Sequence, residues 1–394
     1  MLKLHPLLAK AVVENLNAIF SDNKYADKVI AMSLKKNSKW GSRDRKFVAE
    51  TTYEIVRNYR LFHAGAETKN PWPLLATFFV FNGVELPPWK EFSGLNVKRI
   101  KNNLEAAKNT FKLVQSVPDW LDDLGRGELG LNWEKEMSAL NQEASVVLRV
   151  NTLKVSINEL RKQLASAGIE TDDVHGAPEA LTLRKRQNVF VLPEFKKGLF
   201  EIQDVSSQLV AHFVKASEGH RVIDACAGGG GKSLHLAAIM KNKGKIISMD
   251  VRENKLDELR RRAVRAGVFN IEAKLITEDI LHKLKESADR VLLDAPCSGL
   301  GVLRRNPDAK WKLSFEKINE IKIIQSKILS DYSSMVKPGG KLIYATCSIL
   351  PSENSEQVKK FLLTNSNFTI EEEKSIFPSE GYDGFYMCRM HKSD

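Results

Sequence analysis

Residues 222–233 read VIDACAGGGGKS, and this stretch decides the class of fold. A β-branched run ends in a turn with four glycines, and at about Lys232 a segment with helical spacing begins. In a doubly wound fold, the ligand lies above such a turn, at the carboxyl ends of the strands. The stretch therefore predicts an α/β domain with a ligand site at this turn, although a tight strand-to-helix turn without a ligand would use the same residues.

The end of this stretch is similar to a phosphate-binding loop, but the loop's first glycine is missing. A Walker A loop has the pattern G-x-x-x-x-G-K-[ST]. Gly231, Lys232 and Ser233 fit its end, whereas Cys226 occupies the opening position. We therefore interpret the turn as a site for a ligand other than a nucleotide phosphate.

Strands and helices alternate from residue 204 to the end of the chain. Repeated βαβ units predict a mostly parallel, Rossmann-like sheet with helices on both faces, and the last strand, 384–392, is expected at an antiparallel edge. Residues 146–203 predict a small α+β module. We assign residues 116–203 to linker helices and this module, and residues 204–394 to the catalytic domain.

Residues 1–115 predict a helical N-terminal domain rich in lysine and arginine. With Trp40 and Tyr53 among them, these cations are typical of an RNA-binding surface, but an ordinary solvated helical face has the same composition. The cations are Lys35, Lys36, Lys39, Arg43, Arg45, Lys46, Arg57, Arg60, Lys98, Arg99 and Lys101.

The composition narrows the class of protein. The chain has 394 residues with a formal net charge of +11, which favours a polyanionic partner such as nucleic acid. No apolar run approaches the ~18 residues of a membrane helix, and the N-terminal residues lack the apolar core and cleavage site of a secretory signal. We expect a cytoplasmic monomer that does not bind membranes.

The cysteines point to chemistry through their positions. Cys226, Cys297, Cys347 and Cys388 form no C-x-x-C pair, so we predict no metal site. Cys297 and Cys347 follow neighbouring strands and are expected on the same edge of the sheet, beside Asp294. A buried cysteine is usually a small hydrophobe, but two of them at strand ends beside a carboxylate favour a reactive site.

Two further acids follow strands of the same sheet. Asp250 closes the second strand, where dinucleotide-binding folds hold a ribose diol. An N-cap of the next helix would explain Asp250 equally well. Asp279 follows the third strand, and its position alone does not distinguish it from any other loop acid.

Four motifs resemble those of the Nop/Sun/RsmB-type RNA cytosine-5 methyltransferases. They are DACAGGGGKS (224–233), DAPCSG (294–299), RRNPDAKW (304–311) and YATCS (344–348). The resemblance covers residues 146–394 and implies a Rossmann-like domain that binds S-adenosylmethionine, with an RNA-recognition-like small module. It also implies methyl transfer to carbon 5 of a cytosine in RNA, with ribosomal RNA as the first choice of substrate and tRNA as the second.

The resemblance implies catalytic roles for four residues. Cys347 is the nucleophile that adds to carbon 6 of the cytosine, and Cys297 assists release of the product. Asp294 holds the cytosine edge and ring nitrogen 3, and Lys232 helps to position the base and the nucleophile.

It also implies a cofactor site built around the glycine turn. Asp250 binds the ribose hydroxyls with help from Arg252, Asp279 reaches the adenine amino group, and Asp294 borders the sulfonium. The turn residues around the methionine portion are Ala225, Cys226, Ala227, Gly228, Gly229, Gly230 and Gly231.

The sequence departs from the family pattern at a few positions. Gly228 and Gly229 stand where the family has Ala-Pro, and Cys388 has no counterpart, so we interpret Cys388 as structural. Arg304 and Arg305 are expected to contact the RNA backbone or brace their loop. An ion pair with Asp308 is the alternative.

Two other functions fit part of the pattern. A DNA cytosine-5 methyltransferase would use Cys297 as its nucleophile and leave Cys347 dispensable. A non-catalytic RNA-binding assembly factor would keep the fold without turnover, which the intact Asp294, Cys297 and Cys347 disfavour.

Overall fold

A computed structural model describes residues 5–394. The helices are α1 (Pro6–Phe20), α2 (Ala26–Lys36), α3 (Ser42–Arg57), α4 (Tyr59–Ala66), α5 (Pro71–Phe81), α6 (Val97–Ala107), α7 (Phe111–Val114), α8 (Asp119–Leu129), α9 (Asn132–Leu140), α10 (Ile157–Ser166), α11 (Pro193–Lys196), α12 (Val205–Phe213), α13 (Gly231–Ile239), α14 (Glu253–Ala266), α15 (Glu278–Lys283), α16 (Ala309–Lys312), α17 (Phe315–Ser333) and α18 (Ser355–Thr364). The strands are β1 (Val147–Val150), β2 (Thr171–Asp173), β3 (Ala180–Leu183), β4 (Phe200–Ile202), β5 (Arg221–Asp224), β6 (Lys245–Asp250), β7 (Ile271–Leu275), β8 (Ala288–Asp294), β9 (Val336–Thr346), β10 (Phe368–Ile376) and β11 (Phe385–Lys392).

The chain forms two compact units. The helical unit runs up to Gln142 and takes in the later segment Leu303–Phe315. The sheet unit comprises Glu143–Val302 and Glu316–Asp394. No helix within residues 5–394 combines the length and apolarity needed to cross a membrane.

The helical unit is built around α5, which is apolar over most of its surface. Asn70 caps this helix by accepting a hydrogen bond from the Trp72 N–H at 3.0 Å, and Pro71 stands at the first helical position, where its missing N–H costs nothing. Leu75 and Phe79 are buried in the core that the surrounding helices share. The predicted helical character of the N-terminal region is confirmed.

The segment Leu303–Phe315 is anchored in the helical unit through hydrogen bonds from its own side chains. Lys310 Nζ donates to the Arg57 carbonyl at 2.8 Å, and Trp311 Nε1 donates to the Val56 carbonyl at 2.8 Å. From the sequence, this segment was expected in the catalytic domain. In these two bonds the partners lie 253 and 255 residues earlier, so no local pattern could indicate them.

Several of the predicted RNA-facing cations have structural roles instead. The Arg57 side chain is buried and donates to the Gln142 carbonyl at 3.0 Å, and Arg60 donates to the Val117 carbonyl. Trp40 and Tyr53 are partly buried and pack against the hydrophobic core. The cations that stay exposed between residues 35 and 46 are Lys35, Lys36, Lys39, Arg43 and Lys46.

The small module of the sheet unit has a four-stranded antiparallel sheet in the order β2-β3-β1-β4. Leu148, Leu181 and Phe200 are fully buried in its sheet, and Leu160 of α10 packs into the same core. Helix α10 begins where Ser156 Oγ accepts from the Glu159 N–H at 3.3 Å.

The large sheet has seven strands in the order β10-β11-β9-β8-β5-β6-β7. Strands β5, β6, β7, β8 and β9 are parallel to one another. Ile223, Ile247 and Val291 of these strands are at most 1% exposed, since helices cover both faces. The predicted class of fold is confirmed.

The position predicted for the last strand was wrong. Strand β11 is antiparallel, but it lies between β9 and β10 and not at the edge. The edge strand is β10, which the sequence pattern did not predict. In β10 only Phe368 and Ile376 at its ends are buried, so it lacks the alternation of apolar and polar residues that marks a half-buried strand.

Candidate active site

Four neighbouring parallel strands end at the same edge of the large sheet. Strand β8 pairs with β5 on one side and β9 on the other, and β5 pairs with β6. Their last residues are Asp224, Asp250, Asp294 and Thr346. This arrangement places three carboxylates and the turn after Thr346 around one crevice, where open α/β sheets bind ligands.

The glycine turn after β5 is closed by contacts within the site. Gly228 and Gly230 have φ angles of +52° and +82°, which glycine adopts at little cost. The Gly228 N–H donates to Asp250 Oδ2 at 3.0 Å, and the Ala227 N–H donates to the Met249 carbonyl at 2.9 Å. The turn is thereby tied to the end of β6.

Asp250 orders the start of the next helix as well as the turn. Its Oδ1 accepts from the Arg252 N–H at 2.9 Å, but Arg252, and not Asp250, stands at the N-cap of α14. The Arg252 side chain is mostly exposed, and its Nε lies 3.7 Å from Asp250 Oδ1. The structure therefore brings Gly228, Asp250 and Arg252 together, as the sequence predicted.

Lys232 and Asp294 form a buried ion pair. Lys232 Nζ lies 2.6 Å from Asp294 Oδ2 and 5.2 Å from the centre of the Phe385 ring. Burial alone would lower the pKa of Lys232, but the charge and hydrogen bond of Asp294 outweigh it, and the pKa is raised. Lys232 is consequently a fixed positive charge at the centre of the site, and Asp294 is its more exposed partner.

Cys297 and Cys347 lie side by side. Their Sγ atoms are 3.2 Å apart, and both cysteines are free thiols. The hydrogen bond with Cys347, burial and the charge of Cys347 raise the pKa of Cys297 well above its ordinary value. Cys297 therefore holds its proton more tightly than an ordinary thiol does.

Two buried carboxylates of the site were not singled out from the sequence. Asp224 Oδ2 accepts from Ser233 Oγ at 2.6 Å, whereas its Oδ1 has no hydrogen-bond partner among the described residues. Burial raises the pKa of Asp224 to about 6. The position of Asp224 at the end of strand β5 was a signal in the sequence that could have identified it as a site residue. Glu353 lies beneath the two cysteine turns, and only its place in the SEN of YATCSILPSEN hinted at it.

The structure places the other predicted residues in different surroundings. Asp279 stands in the first turn of α15 and is exposed, with its Oδ2 2.6 Å from Lys283 Nζ. Burial raises the pKa of Cys226 well above its ordinary value, and Cys388 is buried in strand β11. Arg304 belongs to the helical unit, where its Nε donates to the Ala139 carbonyl at 2.9 Å.

The residues at the turn fit the cofactor that the motifs imply. The unpartnered Asp224 Oδ1 suits a cationic donor such as an α-ammonium group. At Gly228, a built Cβ would meet nothing within 4 Å, so the backbone there faces open space. The nearby Asp250 carboxylate is the group type that holds ribose hydroxyls.

Family models match two parts of the chain. The model of the 16S rRNA methyltransferase RsmB/F family matches residues 211–390. The model of the ferredoxin-like domain of RsmF/B-like methyltransferases matches residues 117–190.

Similar proteins carry related names. A probable ribosomal RNA small subunit methyltransferase B of Synechocystis sp. is 30% identical over 390 residues, which are 89% of this chain and 87% of that protein. Ribosomal RNA small subunit methyltransferase B of Pasteurella multocida is 36% identical over 70% of this chain and 65% of its own length. The crystal structure of a methyltransferase homologue from Pyrococcus horikoshii is 28% identical with a TM-score of 0.61, over 68% of this chain and 93% of that one.

Proposed function

Since the chain belongs to the RsmB/F family of 16S rRNA methyltransferases, an S-adenosylmethionine-dependent family, we propose that it methylates carbon 5 of a cytosine in small-subunit ribosomal RNA. The observation that carries the proposal is the pair of free thiols, with Sγ atoms 3.2 Å apart, at the same sheet edge as the ion pair of Lys232 and Asp294. Covalent addition alone would need only one sulfur. Two adjacent sulfurs fit addition by one and assistance to release by the other.

The reaction starts with the Cys347 thiolate, which adds to carbon 6 of the cytosine. The new carbon–sulfur bond makes carbon 5 nucleophilic. S-Adenosylmethionine, when bound, supplies the sulfonium methyl group that carbon 5 takes. A water molecule then takes the proton of carbon 5, and the electrons of that carbon–hydrogen bond break the carbon 6–sulfur bond, which restores the aromatic ring and the Cys347 thiolate. Cys297 assists this release.

The electrostatics at Cys297 support this division of roles. A cysteine acts as a nucleophile in its thiolate form. The raised pKa of Cys297 keeps it protonated, which fits a proton-bearing partner and not the nucleophile. The charge of Cys347 is one of the influences that raise the pKa of Lys232, so the ammonium lies within electrostatic reach of that sulfur.

Asp294 and the turn residues position the two substrates. Lys232 fixes one oxygen of Asp294, and the carboxylate holds the amino group and ring nitrogen 3 of the cytosine. Asp224 and the residues of the glycine turn bind the methionine portion of the cofactor, Asp250 with Arg252 binds the ribose, and Asp279 reaches the adenine. The cytosine must leave its stack to reach this buried site, so an RNA loop or a flipped nucleotide is the form that binds.

The helical unit is the second RNA-binding element of the proposal. Among the described residues, none of the exposed cations between residues 35 and 46 has a carboxylate oxygen within hydrogen-bond length, and Lys46 Nζ lies 3.7 Å from Glu50 Oε1. Exposed lysines and arginines of this kind bind phosphates without reading sequence.

The test uses RNA and 30S particles from a strain that lacks the protein. The wild-type chain with methyl-labelled S-adenosylmethionine is expected to label 16S rRNA, and bisulfite sequencing locates the 5-methylcytosine. Cys347→Ala should lose the label completely. Cys297→Ala should accumulate a covalent protein–RNA adduct, visible on a denaturing gel, because release is blocked. Cys388→Ala, a buried cysteine outside the site, is the matched control and should retain labelling.

Other outcomes identify the alternatives. Label in tRNA alone would mean that the proposed reaction is right and that the substrate is tRNA. Label in DNA that survives Cys347→Ala and is lost in Cys297→Ala would identify a DNA cytosine-5 methyltransferase. RNA binding without label in any fraction, with the cofactor bound, would identify a non-catalytic assembly factor.

A further inference from the structure

Glu353 is a fully buried carboxylate beneath the catalytic edge of the sheet. It ends the short 3-10 turn Pro351–Glu353 between β9 and α18 and has no exposed surface. A buried carboxylate is costly unless its oxygens accept hydrogen bonds. Glu353 meets this requirement with four donors on its two oxygens.

Three of the four donors belong to the two turns that carry the cysteines. Ser298, which follows Cys297, donates its N–H to Oε1 at 2.8 Å and its Oγ–H to Oε2 at 2.5 Å. Ser348, which follows Cys347, donates its Oγ–H to the same Oε2 at 2.5 Å. One carboxylate therefore joins the two turns that carry the sulfurs.

The carboxylate is itself fixed from two further directions. Gln325 of α17 donates from Nε2 to Oε1 at 3.1 Å and to the Pro296 carbonyl at 3.0 Å. Tyr344 of β9 donates to the Glu353 carbonyl at 2.7 Å. Glu353 has little freedom to move, so it can hold the turns at a set separation.

The charge of Glu353 also affects the pKa of Cys297. The hydrogen bond with Cys347, burial, the charge of Cys347 and the charge of Glu353 all raise the pKa of Cys297. Titratable groups that interact with Cys297 include Cys347, Glu353 and Tyr344. No described contact places Glu353 against the crevice, so it acts through these neighbours.

We propose that Glu353 is a positioning residue that holds the Cys297 and Cys347 sulfurs in register for addition and release. The proposal rests on the proposed function, in which both sulfurs act on the cytosine. Glu353 joins the two turns and so keeps the Sγ atoms that they carry 3.2 Å apart.

Two substitutions separate the geometry from the charge. In Glu353→Gln, the amide oxygen can accept from the Ser298 N–H and Gln325, while its NH₂ group donates to the two serine hydroxyls, which can reverse their direction. This variant keeps the link and removes the charge. Glu353→Ala removes both. Glu356, an exposed residue of α18, provides the control variants Glu356→Gln and Glu356→Ala.

The first measurement needs no methyl transfer. Alkylation of Cys297 and Cys347 by iodoacetamide is followed by mass spectrometry in brief pH pulses from pH 6 to pH 12, so that the raised midpoint of Cys297 falls within the range. In Glu353→Gln, the midpoint for Cys297 should move to lower pH, because one negative neighbour is gone. The Glu356 variants should match the wild type.

The second measurement is single-turnover methyl transfer, normalised to folded protein by thermal unfolding. Glu353→Ala should lose about 10- to 100-fold in rate, as expected when reacting groups shift by about 1 Å, with KM for RNA and cofactor little changed. Glu353→Gln should retain most of the rate near neutral pH.

Three results would overturn the proposal. They are an unchanged Cys297 midpoint in Glu353→Gln, a folded Glu353→Ala protein with wild-type rate, and a rate loss in Glu353→Ala explained wholly by its unfolded fraction. A wild-type protein that transfers no methyl group would instead refute the proposed function, and the alkylation result would still show whether Glu353 tunes Cys297.

Discussion

Buried titratable side chains carry the clearest consequences at the scale of single residues. His235 of α13 is 1% exposed, and its Nε2 lies 3.7 Å from Glu179 Oε2, beyond hydrogen-bond length. Burial lowers the pKa of His235 to about 3, although the Glu179 carboxylate acts in the opposite direction. Arg149 and His212 also disfavour its protonation. The folded protein therefore keeps this imidazole neutral where an unfolded chain would protonate it.

This difference predicts a loss of stability in acid. An unfolded histidine takes up a proton near pH 6.5, whereas the folded one does so near pH 3. The stabilisation is fully present above pH 6.5 and is lost as the pH falls toward 3, by up to ~5 kcal/mol. Urea unfolding between pH 7 and pH 4 should show a shallower pH dependence for His235→Leu than for the wild type.

His282 is exposed and provides the control for this experiment. His282→Leu should keep the wild-type pH dependence. Equal slopes in His235→Leu and the wild type would show that His235 is not the group that couples folding to acid.

At the scale of elements, the strand–turn–helix from β5 to α13 depends on two glycines in different ways. Both Gly228 and Gly230 have positive φ angles. A Cβ on Gly228 would meet no atom within 4 Å, whereas a Cβ on Gly230 would lie 2.6 Å from Leu259 Cγ. Leu259 belongs to α14, so the second glycine also permits close packing of two helices.

Alanine substitutions at these glycines should therefore have unequal effects. Gly228→Ala should cost about 1 kcal/mol, because only the left-handed backbone is penalised. Gly230→Ala should cost a further 1–3 kcal/mol or so, because the methyl group overpacks the contact with Leu259. The check is chemical denaturation without cofactor. Similar losses in both variants would mean that α14 moves aside easily.

At the scale of the whole molecule, the chain leaves the sheet unit at Leu303 and returns after Phe315. Within the helical unit, Lys310 is 1% exposed and its Nζ donates to three oxygens, at 2.8, 3.2 and 3.0 Å. Burial lowers the pKa of Lys310 well below its ordinary value. This lysine satisfies backbone and side-chain oxygens that would otherwise be buried without partners.

Lys310→Met should destabilise the helical unit by about 2–4 kcal/mol, because several buried acceptors lose their donor while the apolar stem is kept. Limited proteolysis should then cut within 303–315 faster than in the wild type. Lys101→Met, at an exposed position of α6, is the matched control and should change stability by less than about 0.5 kcal/mol. Unchanged protection of the segment in Lys310→Met would show that other contacts suffice to hold it.

Local patterns in the sequence were enough to predict the alternation of strands and helices, the glycine turn and the proximity of Cys297 and Cys347. Each depends on periodicity or on residues close in the chain, and parallel strand ends necessarily meet at one edge. The roles of the two cysteines come from the resemblance and stay predictions until the variants are measured.

Tertiary structure alone decided where β10 and β11 lie, that Leu303–Phe315 packs into the helical unit, and that Glu353 joins the cysteine turns. Strand β10 is an edge strand that pairs with β11. It lacks alternation, because all its residues between Phe368 and Ile376 are exposed, whichever face of the sheet they point to. Lys310 and Arg57 are 253 positions apart, and Ser298 and Glu353 are 55 apart. Hydrogen bonds between such distant residues leave no periodic trace in the sequence, because they arise only after the elements have packed.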